Sequence, residues 1–149
     1  MDQDYTLQYS AGAKTLGIAM PTFMLGGTTF AAVTHGINTQ SDLISLLFLY
    51  GFSFLLLAYF YIEYFTVSIK VGPNGIEGTS GWRGKRSYKW PEIYEISYSP
   101  LSMWFKINAE NKSPLRIHAW IDGIDIFQQH FIENLPEEKW AAAYEQYNG

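Results

Sequence analysis

The sequence predicts two parts of different kind. A membrane α-helical hairpin is followed by a small α+β domain, an antiparallel partial β-barrel capped by a C-terminal helix. Three observations carry this. No Asp, Glu, Lys or Arg lies between Lys14 and Asp42, and none between Asp42 and Glu63. After Glu63 apolar residues alternate with polar ones, the period of a strand with one buried face. Towards the end they shift to the three-and-four spacing of an amphipathic helix. The averages conceal this division, since 149 residues, a net charge of −4 and 48% hydrophobic residues suit an ordinary soluble domain.

The second apolar segment is the stronger. Leu43 to Ile62 is 20 residues without a charge, about 30 Å as a helix, which matches a hydrocarbon layer of about 30 Å. Tyr59, Phe60, Tyr61, Tyr64 and Phe65 close it where aromatic rings favour the headgroup layer. Thr15 to Val33 is also uncharged, but Pro21, Gly26, Gly27 and several threonines make it more polar. Such residues are tolerated in a span when a neighbouring helix packs closely. Gly27 and Ala31, four apart, offer a small-residue face to another helix, and are candidate partner contacts. The aspartates ahead of this segment and the lack of a small-x-small cleavage site argue against a signal peptide. Thr34 to Ser41 is the turn, and residues 1–14 form an N-terminal segment ahead of the hairpin (15–33 and 43–62). Lys14, Lys70, Arg83, Lys85, Arg86 and Lys89 all flank the hairpin on the side away from that turn, so both termini are expected in the cytoplasm of a bacterium, with the hairpin in its inner membrane.

Residues 63–149 make the second part. Val67 to Val71 alternates, and Gly72-Pro73-Asn74-Gly75 is a turn signal leading to a return strand at Ile76–Thr79. Gly81 to Gly84 is a second turn. Arg86–Trp90, Ile93–Ser97, Met103–Asn108 and Leu115–Trp120 complete six strands, with Pro91 interrupting the ladder. Ile124, Phe127, Phe131 and Leu135 mark one face of a helix, and Pro136 precedes a short second helix over Glu137–Tyr147.

Gly75-Ile76, the turn with Gly81, Trp90-Pro91-Glu92-Ile93 with Ile96 three on, the aromatic strand Met103-Trp104-Phe105 and the helix ending Leu135-Pro136 carry a resemblance. Over roughly residues 66–135 the chain resembles the bacterial pleckstrin-homology-like domains, which are often attached to membrane hairpins. Six strands are visible where that fold usually has seven. The resemblance implies a PH-like partial barrel and is compatible with a role in assembling respiratory or photosynthetic membrane complexes.

No catalytic, phosphate-loop or dinucleotide motif occurs, so no enzyme and no cofactor are expected. The absence of cysteine excludes thiolate chemistry and disulfides. His118, Asp122 and Asp125 fall close together but lack zinc or EF-hand spacing, and no metal is expected. His130 is expected to be partly exposed, with Glu92 and Glu95 on a solvated face. The mildly acidic balance gives no footprint for nucleic acid. Arg83, Lys85, Arg86 and Lys89 are candidates for lipid headgroups, at about 1 kcal/mol per cation near an anionic leaflet. A solvated turn whose charges also set topology is the favoured reading over specific lipid binding, with generic leaflet contact allowed. The first turn, Gly72 to Gly75, has no basic residue to match the inositol-phosphate sites of eukaryotic relatives. Trp90 and Ile93 are expected in the core; Trp82, Trp140 and Tyr144 are candidates for a partner surface. The expected function is a non-catalytic accessory or assembly subunit of a larger membrane complex, with integral membrane subunits and lipids as partners. The alternative is a lipid-contacting or envelope-homeostasis module.

Overall fold

The computed structural model describes residues 3–149. They divide into two compact units, residues 11–66 and a second made of residues 3–10 with 67–149. In chain order the elements are β1 (Tyr5–Tyr9), α1 (Ala11–His35), α2 (Gln40–Thr66), β2 (Ser68–Gly72), β3 (Gly75–Ser80), β4 (Gly84–Lys89), a 3-10 turn (Trp90–Glu92), β5 (Ile93–Ser99), β6 (Trp104–Ala109), β7 (Leu115–His118), β8 (Ile121–Asp122), α3 (Ile124–Asn134), a second 3-10 turn (Glu137–Lys139) and α4 (Ala141–Asn148).

The helical unit consists of two antiparallel helices, each long and apolar enough to cross a membrane. Both run past the spans expected from sequence, to 25 and 27 residues. Asp42 fixes the start of α2: its carboxylate accepts from the N–H groups of Asn38 and Thr39, while the Thr39 hydroxyl accepts from the Asp42 N–H. Such reciprocal capping satisfies donors that a helix start leaves open. Thr15, Thr22, Thr28, Thr29 and Thr34 all donate their hydroxyls to the carbonyl four residues back. That removes the polarity the threonines bring to α1 and suits a medium without water. Gly17 is buried, and a Cβ there would overlap the Tyr64 ring, so the absent side chain sets how closely the helices approach. Leu16, Phe23, Phe30, Leu47, Phe48 and Leu55 point outward, the reverse of a soluble core helix.

The other unit holds two antiparallel sheets, ordered β4-β3-β2-β1-β8 and β5-β6-β7, which do not close into a barrel. Among the described residues there are eight strands where six are expected. The N-terminal segment, expected to stand apart from the domain, supplies β1, which lies between β2 and β8. Leu7 pairs opposite Ile69, and Tyr9 opposite Ile121. Alternation sets the buried face: Leu7 and Tyr9 in β1, Ile69 and Val71 in β2, and Phe105 and Ile107 in β6 are buried. Gly78 of β3 leaves room for the Leu115 side chain of β7, which a Cβ would overlap. Trp90 and Ile93 are core residues, and the Trp90 indole donates to the Gly72 carbonyl at 2.9 Å. α3 buries Phe127 and Phe131 as its spacing predicts. His130 departs from expectation and is fully buried between them on the same face.

Candidate interaction surfaces

Strand register defines two ends of the sheet unit. At one end, which we term the exit end, the chain leaves β1 through Ser10 and re-enters β2 from Val67. Ser68 pairs with Thr79 and Ser80 with Gly84, so the β3–β4 turn bearing Trp82 and Arg83 belongs to this end. Tyr9 pairs with Ile121, which brings Trp120 there as well. The second sheet follows: Trp104 at the start of β6 faces His118 at the end of β7, and the Ala119 N–H donates to the Met103 carbonyl.

These connections touch one another through rings. The Arg83 guanidinium lies 5.0 Å from the centre of the Trp104 ring. His118 contacts Trp104, Trp120 and Tyr9, with ring centres 4.9, 5.3 and 6.0 Å away. Its Nδ1 accepts from the Trp120 N–H, and burial pushes its pKa down from the usual histidine value. Trp82 and Trp120 remain 52% and 57% exposed, and Leu101, on the β5–β6 turn, is completely exposed.

The face of the smaller sheet carries a cross-strand row. Ser97 pairs with Lys106, and Lys106 with Arg116. Like charges directly opposite repel, and neither cation is paired with a carboxylate among the described residues. Ser97, Ser99, Ser102, Lys106 and Arg116 line one open groove beside Trp104.

The basic run expected to act together is spread out. β4 carries Lys85, Arg86 and Lys89 from the exit end to the far end on alternate faces. Lys85 pairs with Glu77 at 2.9 Å, Arg86 donates to the Pro114 carbonyl, and Lys89 lies opposite Gly75. Arg83 alone of the four reaches the ring cluster. Trp140 packs on Phe131 and Tyr144 and donates to the Leu135 carbonyl, so it fastens the tail helix rather than standing clear. Tyr144 is exposed, as are Gly27 and Ala31 in the helical unit. Asp122 and Asp125 are exposed, while His118 turns into the ring cluster; among the described residues no three His, Asp or Glu are placed to hold a metal. Glu92 is not simply solvated: it binds Lys112 at 2.6 Å and the Lys89 N–H, and these bonds lower its pKa. Glu95 accepts from the Asn108 amide. The row of Lys106 and Arg116 and the exposed Leu101 were missed in the sequence; Leu101 after Pro100 is the one local signal that marked a protruding apolar tip. Compared with models of known protein families and with curated proteins, the chain matches none.

Proposed function

We propose that the protein is a non-catalytic accessory or assembly subunit of a larger membrane complex. Its hairpin spans a bacterial inner membrane and its β-domain, pleckstrin-homology-like in kind, stands on the cytoplasmic face. The supporting observation is a contrast between glycines of α1. Gly17 is covered by Tyr64, whereas at Gly26 and Gly27 a Cβ would meet nothing within 4 Å beyond the adjoining residues and backbone of its own helix. Small residues on a helix in lipid gain packing only when another helix lies on them. α2 does not use this surface, and Ala31 continues it by one turn. The pairing of β1 with β2 supports a two-span hairpin, because it needs both hairpin ends on one side of the membrane.

Purification of the intact chain from native membranes in mild detergent tests this. Co-migration with another integral membrane protein at fixed ratio is expected, and Gly27→Leu should abolish it. A monomer that retains no partner after gentle crosslinking in the membrane would overturn the subunit assignment.

A further inference from the structure

We propose that the exit end of the sheet unit docks on the surface of an anionic bilayer. Trp82, Leu101 and Trp120 seat in the headgroup layer, and Lys106 and Arg116 meet lipid phosphates. The proposal rests on the membrane placement of the hairpin given above, but not on the existence of a partner subunit.

The connections of the sheet unit are polarised by end. At the exit end three separate connections, β3–β4, β5–β6 and β7–β8, each present a large apolar side chain: Trp82, Leu101 with Met103, and Trp120. At the opposite end the β2–β3 turn is Pro73-Asn74 and the β6–β7 connection runs from Glu110 to Pro114, neither with a large apolar residue. The β4–β5 connection there holds Trp90, which is buried, and is followed by Tyr94, a large side chain exposed beside it. Apolar tips that converge from three turns onto one end mark an interaction surface, since isolated apolar residues would be scattered. Tryptophan is the residue that favours the boundary between water and hydrocarbon.

The chain itself selects the occupant. Both connections to α1 and α2 leave from this end, through Ser10 and Val67, so a bilayer holding those helices is tethered within a few residues of it. Charge agrees with the choice. Lys106 and Arg116 face each other in register without a carboxylate, an arrangement that an anion between them relieves. Hydroxyls of Ser97, Ser99 and Ser102 line the same groove.

Tryptophan fluorescence reads this directly, because Trp82, Trp90, Trp104, Trp120 and Trp140 all lie in the sheet unit and the helical unit contains none. The full-length protein is reconstituted into vesicles of phosphatidylcholine and phosphatidylglycerol, with and without bromine on the upper acyl chain. Bromine should remove up to about two fifths of the emission, as expected for two of the five indoles at the interface. Trp82→Phe with Trp120→Phe should abolish most of that quenching while near-ultraviolet dichroism still reports a folded domain. Leu101→Asp should weaken it, and Lys106→Glu with Arg116→Glu should weaken it only where phosphatidylglycerol is present. Equal emission in both vesicles, or quenching unchanged in the double tryptophan variant, overturns docking. So does a photocrosslinker at position 101 that captures a second copy or another protein instead of lipid. An alkaline carbonate wash separates the two levels. Protein retained but unquenched defeats docking alone, whereas protein released defeats the membrane placement with it.

Discussion

Trp90 and His130 lie parallel and offset in the core, their ring centres 6.3 Å apart and their planes 6° from parallel. Tyr5 of the N-terminal strand tilts against the same imidazole at 6.0 Å. One ring cluster therefore joins β1, the turn before β5, and α3. Trp90 is its anchor, because its indole also holds the Gly72 carbonyl. Trp90→Ala should cost about 3–5 kcal/mol, from lost burial and a stranded carbonyl. Denaturant unfolding of the detergent-solubilised chain, followed by near-ultraviolet dichroism, measures it. Unaltered dichroism and midpoint would contradict this packing.

His130 offers the opposite expectation. Neither ring nitrogen has a hydrogen-bond partner among the described residues, and the side chain is fully buried. A polar group in that position costs stability, and an apolar ring of similar shape does not. His130→Phe should leave stability unchanged or raise it by up to about 2 kcal/mol. A fall in thermal midpoint would mean that the imidazole is bonded in solution.

His118 makes the β-domain sensitive to acid. Burial depresses its pKa below the unfolded value of about 6.5, so the folded state binds fewer protons than the unfolded one. Its contribution to stability is complete above pH of about 6.5 and is lost as pH falls through the lower folded pKa. Protonation of Nδ1 also removes the acceptor for the Trp120 N–H. The wild-type melting temperature should drop more steeply than that of His118→Phe between pH of about 7 and about 5. Parallel curves would remove His118 as the cause.

Two glycines of α1 should behave differently. Gly17→Leu forces the Tyr64 ring aside and should loosen the hairpin by about 1–3 kcal/mol. Gly27→Leu meets open space and should leave the hairpin intact. Spin-label distances between α1 and α2 in detergent distinguish them: a broadened distribution for the first, an unchanged one for the second. Equal broadening would mean that Gly17 does not set the contact.

The helices were legible because a run without charges is a local property, readable residue by residue. β1 was not. Tyr5 to Tyr9 is only five residues, and its partners in β2 and β8 are far along the chain. Nothing local distinguishes such a segment from a polar leader. His130 was misplaced for a different reason. It stands three residues after Phe127, on the buried face, but its polarity outweighed its position. The basic run illustrates the converse error. Arg83, Lys85, Arg86 and Lys89 are dense in sequence, yet a strand separates neighbours by about 3.3 Å and alternates their faces, so density along the chain did not become density in space. The exit-end cluster depends on register between strands, and register is not written in any single segment.

The place of β1 between β2 and β8 fixes an order of events during synthesis. This strand leaves the ribosome before α1 and α2, and its neighbour β2 follows only after both helices have been made. At about 5–20 residues per second, the intervening stretch takes about 3–12 seconds. For that interval Leu7 and Tyr9 have no sheet to cover them. Synthesis of both helices must therefore precede completion of the sheet, and the strand made early waits for the strand made late.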